Sequence, residues 1–257
     1  MKHKPLISIA ALIAAALVCL TAAAAEPLKF KDDLADTVVF PYHEDDPDGP
    51  KYTYSYRYPQ VEDSDPSASQ VNDFYAYLVS DALDFGVPIK VDYLADTGWD
   101  EDSFEDISYE ITRNDDDYLS VLVKTSSLVE GEESARWAGH TFSRTDGKPG
   151  SSVALPYLLG ILATDESDTW LHDRQTEKAD DLVRSLVWDM IRENPDAVPY
   201  FEDLTEETLA DIFYPEEDFY LDDNGNVIFY LLPGYAAPES AGLLTFSIPL
   251  ESILDEL

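Results

Sequence analysis

From residue 52 the chain alternates tyrosine with small or polar residues. Tyr52, Tyr54, Tyr56 and Tyr58 interleave with Thr53, Ser55 and Arg57, a period of two that predicts a strand with one aromatic face, ended by Pro59. The period then changes. After Ser69, the apolar positions Val71, Phe74, Tyr75, Leu78, Val79 and Ala82 recur at spacings of three and four, which predicts a helix stopped by Gly86-Val87-Pro88. Beyond the acidic stretch 97–106, strands are expected at 107–112, 118–128 and 136–145, the last closed by an Asp146-Gly147-Lys148 turn.

Residues 153–162 read as a short apolar helical segment. The strongest helical pattern is 177–194, where Leu182, Val183, Leu186, Val187, Met190 and Ile191 share a face and Pro195 lies just past the end. A shorter helix over 205–213 has Thr205 as N-cap and acids in its first turn. The C-terminal fifth reads as a hairpin, 218–221 and 227–232 around DDNGN, then a strand over 243–248 and a helical turn from Pro249. Hairpins interleaved with helices, without a βαβ rhythm, predict an α+β fold with a largely antiparallel sheet and packed helices.

The start of the chain is patterned differently. Lys2, His3 and Lys4 precede an uncharged run from Pro5 to Leu20, and TAAAA follows at 21–25. That is the layout of a secretory signal peptide cleaved after Ala25, which makes the expected location extracytoplasmic. Cys19, the single cysteine, is either discarded with this leader or acylated; Val18 before it does not suit acylation. An uncleaved anchor is the third possibility, because Pro5–Ala25 is about the length that spans a bilayer. Residues 26–51 mix charge with Pro and Gly and read as an extended acidic arm. One module is expected over 52–257, its N-terminal half ending near 130 and its C-terminal half starting near 131.

Charge narrows the function classes. With 53 Asp+Glu against 16 Lys+Arg the net charge is −37, which repels phosphate backbones and anionic headgroups and argues against nucleic-acid binding. Yet 45% hydrophobic and 12% aromatic residues are too many for a disordered acidic chain. No catalytic, metal or cofactor motif stands out. His43, His140 and His172 lack metal-ligand spacing, and there is no glycine-rich phosphate loop or GxSxG elbow. Carboxylates are so abundant that an acid–base pair could be drawn almost anywhere. DDNGN suits a hairpin turn better than a calcium loop, since Gly225 falls between Asn224 and Asn226. The candidate binding residues are Trp137 and His140 in RWAGH and Tyr235 in LLPGYAAPESAG; each also has an ordinary reading as core, backbone-bonded or turn residue.

Several segments carry a family resemblance when taken in order. YPQV at 58–61, VNDFYAYLV at 71–79, SYEIT and DYLSVLVKTSSLVEG, RWAGHTFSRTDGKPG with VALPYLLG, FYLDDNGNVIFYLLPGYAAPESAG and FSIPLESIL span about 52–257. Together they resemble the extracytoplasmic module of RsiV-type lysozyme-sensing anti-sigma factors. The same module is found ahead of the catalytic domain in PdaC-type peptidoglycan deacetylases. His140 matches that family's histidine, with Ala138 where a glycine is usual, and no catalytic role comes with it. Met1–Lys4 before the apolar run and the lack of a metal motif within 52–257 lead us to expect neither sigma-factor control nor the deacetylases' chemistry of this chain.

The resemblance implies a monomeric, non-catalytic binding module of the bacterial cell envelope. Its partner would be a cationic protein such as lysozyme, or a peptidoglycan component. The alternative is a cell-wall hydrolase or deacetylase that uses carboxylates as general acid and base.

Overall fold

The computed structural model describes residues 26–43, 45–145, 149–161 and 169–257. The expected leader with Cys19 and the turn at 146–148 lie outside them. The chain builds two hydrophobic cores from successive stretches. The first rests on a five-stranded sheet in the order β1 (Leu34–Pro41), β2 (Lys51–Tyr58), β3 (Ser103–Asn114), β4 (Tyr118–Val129) and β5 (Glu132–Ser143). The acidic arm is thus part of the fold: its second half is β1, antiparallel to β2, with Phe40 opposite Tyr52 and Leu34 opposite Tyr58. Its first half is tied down at Leu28, which exchanges two hydrogen bonds with the Asn114 side chain.

One pair of strands is parallel, β2 with β3. The helical run between them makes this possible, because parallel neighbours need a long crossover. That run is continuous where a stop was expected at Gly86-Val87-Pro88: α1 (Ala68–Asp81) passes through a π-turn (Ala82–Gly86) into α2 (Val87–Thr97). Val87 N–H donates to the Ala82 carbonyl, five residues back. The turn has a packing cause. At about 100° per residue, an unbroken α-helix would set the mean direction of Val87, Val91 and Leu94 about 130° from that of Val71, Tyr75 and Val79. A π-turn adds about one residue to the winding and returns both sets to the sheet, where all six are buried. Pro88 has no N–H to donate, so the ladder loses one hydrogen bond just where the π-turn already interrupts its regular pattern.

Beneath this run lies the tyrosine row. Tyr52, Tyr54, Tyr56 and Tyr58 are all buried, and Tyr58 stacks on Tyr75 with ring centroids 5.0 Å apart. β5 pairs along its whole length with β4, so the first core closes with Phe142 rather than near 130.

The second core begins at Val153. After the single helical turn α3 (Leu155–Leu158), it packs α4 (Thr169–Glu193), α5 (Glu206–Ile212) and α6 (Leu250–Glu256) on the antiparallel sheet β6 (Phe219–Leu221), β7 (Asn226–Leu231) and β8 (Leu244–Pro249). Ala179, Val183, Val187 and Ile191 form the buried stripe of α4. Thr205 and Thr208 make a reciprocal capping box at the start of α5. In the 222–226 turn, Asp222 Oδ1 accepts from the N–H groups of Asn224 and Asn226, and Gly225 takes a positive φ. Among the described residues no helix is long and apolar enough to cross a membrane. The fold is α+β, with one parallel pair in otherwise antiparallel sheets.

The two cores meet on the side of the large sheet away from α1 and α2. Ser120 Oγ accepts from Leu221 N–H at 3.0 Å, and Gly139 N–H donates to Tyr230 Oη at 3.1 Å. β7 is therefore covered on both sides: Val227, Phe229 and Leu231 enter the second core, while Tyr230 turns to the large sheet. This explains why VIFYL is uninterrupted by polar residues. At Gly139 any Cβ would lie 1.8 Å from the Phe219 carbonyl oxygen.

Candidate functional site

Side chains alternate across a strand, so Trp137 and His140, three residues apart on β5, must point to opposite faces. His140 turns toward the helices with Phe142. Its ring meets Phe74 edge-on at 5.0 Å and lies 5.7 Å from Tyr75. Nδ1 is buried and unpaired among the described residues, as is the Tyr75 hydroxyl. The backbone hydrogen bond expected of this histidine is therefore not made at Nδ1. Burial disfavours its charged form and lowers its pKa from 6.5 to about 4.

Trp137 faces the other way, onto the part of the sheet that β6 leaves open. Lys124 is its direct partner in register, with Nζ 5.5 Å from the ring centroid, within cation–π reach. Two strands across, Phe104 reaches the same face through its register partner Leu128. Opposite them stands the segment after β7. Ala236 and Ala237 are buried in the second core, and the Ala236 carbonyl accepts from Phe201 N–H at 3.0 Å. Gly234 takes φ +82°, which favours glycine, and a Cβ there would lie 3.2 Å from the Glu239 side chain. Anchored on both sides, this segment presents Tyr235 to solvent, 52% exposed.

Between sheet and segment opens a cleft of about 540 Å³. Phe104, Trp137 and Tyr235 give it aromatic surface, Leu232 and Pro233 line one wall, and Ser126, Arg136, Glu133 and Glu239 supply polar edges. Of the residues singled out in the sequence, Trp137 and Tyr235 meet here, although 98 positions apart, and His140 does not. Phe104 and Lys124 were not singled out. Phe104 sits at the start of a strand beyond an acidic loop, and only pairing with β4 brings it to this face; Lys124 was legible in principle as a cation alternating with apolar neighbours.

Two carboxyls with raised pKa, Asp180 and Asp218, lie away from the cleft. Asp180 on α4 has a buried Oδ1 with no hydrogen-bond partner among the described residues; burial, with Glu216 nearby, raises its pKa to about 6, against the opposing pull of Arg184. Burial likewise raises Asp218 to about 6. Neither lines the cleft. Among the described residues no cluster of three or more His, Cys, Asp or Glu could hold a metal ion.

Residues 171–251, from α4 into α6, match a family described as "Protein of unknown function (DUF3298)". A solved member of that family from Bacteroides fragilis NCTC 9343 is similar in fold: 14% identity, TM-score 0.54, covering 88% of this chain and 92% of the other. A second, from Pseudomonas aeruginosa PAO1, shares 14% identity with TM-score 0.44, covering 90% of this chain and 94% of the other. No curated protein matches the chain.

Proposed function

We propose that the chain is an exported, non-catalytic binding module of the bacterial cell envelope that takes a surface segment of a cationic protein into the Phe104–Trp137–Tyr235 cleft. The observation that carries this reading is the convergence of three aromatic rings on one open cleft, two of them held by a rigid sheet and the third by an anchored segment. Such preorganised aromatics are what concentrate affinity at interfaces. The net charge of −37 supports a basic partner, since it speeds encounter with one and makes binding sensitive to salt. The resemblance to RsiV-type and PdaC-type modules supports the envelope setting and makes lysozyme the first cationic protein to try.

The test is a titration with lysozyme, and separately with soluble peptidoglycan fragments, at low and high salt. Lysozyme binding at low salt, weakened at least tenfold in Tyr235→Ala and Trp137→Ala, is the expected result, equivalent to about 1.4 kcal/mol or more. Absence of binding at low salt rejects the lysozyme assignment. Binding of glycan fragments alone transfers the cleft to a cell-wall ligand. The alternative reading, a wall-active hydrolase or deacetylase, draws on Glu133 and Glu239, which both line the cleft. It requires turnover of peptidoglycan that Glu239→Gln abolishes.

A further inference from the structure

The helical run that roofs the first core has an outer side as organised as its inner one. Tyr77, Phe85, Ile89 and Tyr93 are 67%, 64%, 67% and 54% exposed, so each leaves most of its side chain in water. They belong to one row. The π-turn that brings the buried residues back to the sheet does the same outside: it keeps Phe85 within about 20° of Tyr77 around the axis, where an unbroken α-helix would place them about 80° apart. Ile89 and Tyr93 continue the row at intervals of four. At about 1.5 Å per residue the row is about 24 Å long. Scattered exposed apolar residues need no explanation, but large ones aligned on one side of a helix mark an interaction surface, here the cluster Phe85, Ile89 and Tyr93 with Tyr77 about 12 Å further on beyond the exposed Asp81.

What borders the row decides what can cover it. Asp73, Asp81, Asp84, Asp92 and Asp96 are all exposed along the same run. Lys90 is the single cation between Ala68 and Thr97 and is already paired with Glu105 of β3. A second copy of this chain would set these aspartates against their own kind, and anionic lipid would be repelled in the same way. We infer that the outer side of α1–α2 docks a cationic amphipathic helix of a partner protein, which lays apolar residues spaced by three and four along Tyr77, Phe85, Ile89 and Tyr93 and sets Lys or Arg against the flanking aspartates. This surface lies on the opposite side of the large sheet from the cleft and is independent of it.

The test uses the chain with a fluorescent synthetic 18-residue helical peptide of Leu and Lys, the leucines forming one stripe, and a counterpart with Glu in place of every Lys. The Lys peptide is expected to bind and the Glu peptide not. Phe85→Ser with Ile89→Ser should weaken binding at least tenfold while the circular dichroism of the chain stays unchanged, as suits side chains already in water. Neutralising acids elsewhere, with Asp45→Asn, Asp46→Asn and Asp48→Asn, should leave the affinity within about twofold, and so should Trp137→Ala, which separates this surface from the cleft. Equal binding to the Phe85/Ile89 variant would reduce the effect to nonspecific attraction by a polyanion and overturn the inference. So would self-association in sedimentation, or co-sedimentation with phosphatidylcholine vesicles, that the same variant abolishes, since the row would then belong to a second copy or to lipid.

Discussion

Gly139 is where one missing methyl group lets two sheets touch. Its φ is not among the positive ones, so alanine would fit the strand; the obstacle is the Phe219 backbone at 1.8 Å. Backbone cannot swing aside as a side chain can, and Gly139→Ala is expected to cost about 3 kcal/mol or more, read as a lower urea midpoint. His140 next to it carries a pH signature. Its folded pKa of about 4 lies below the ordinary 6.5, so the unfolded chain takes up the proton first as pH falls. The stability it supports is complete above about pH 6.5 and is lost between there and pH 4, up to about 3 kcal/mol. His140→Gln should flatten that part of the stability–pH curve. Asp180 has the opposite slope. Its pKa is raised from 3.8 to about 6, so its contribution is whole below pH 3.8 and is lost as pH rises through 6. Asp180→Asn is expected to raise stability by ~1 kcal/mol at pH 7.5, screening included, and by nothing at pH 3.5.

Among the elements, the π-turn binds two faces to one geometry. Deleting Asp84 would remove the extra residue and let the run wind as plain α-helix with Val87, Val91 and Leu94 still facing the first core, so this variant is expected to fold with helical circular dichroism like that of the parent chain. Inserting one more residue beside Asp84 would instead turn Val87, Val91 and Leu94 about 100° out of the first core, and losing three buried apolar contacts predicts a fall of several kcal/mol, seen as a depressed thermal transition in circular dichroism. The sequence did not disclose this turn. Gly86 and Pro88 carry ordinary stop signals, and only the demand that Val79 and Val87 face the same sheet overrides them. What was legible followed from strong local periodicity: the tyrosine strand, the stripe of α4, the capped α5 and the C-terminal hairpin. What was not legible followed from pairing at a distance. β1 hid in a stretch with turn-forming neighbours, and β5 joined the first core through a ladder with β4 that no local pattern announces. The cleft was half legible, because Trp137 and Tyr235 stood out as aromatics without a period. Yet three residues apart on any strand, Trp137 and His140 must face opposite sides of the sheet.

At the scale of the molecule, charge is the dominant long-range force. A net −37 on one fold means like charges repel throughout, and the repulsion opposes compactness. Raising salt from about 10 mM to about 1 M shortens the screening length from about 30 Å to about 3 Å. The chain should therefore melt higher in salt, by on the order of 1 kcal/mol or about 2–4 °C at this length, while its attraction for a basic partner falls. A scan of Tm against NaCl and a titration series would show the two trends moving in opposite directions.

The order of the two cores along the chain has a further consequence. Every strand of the large sheet lies before residue 144, and no later segment is threaded between them. A polypeptide emerging from its N-terminal side can thus seal the tyrosine row before α4 has been made, with Gly139 and Ser120 left as an open mortise for β6 and β7. Assembly then proceeds in one direction, and the joint that unites the molecule is the last part to form.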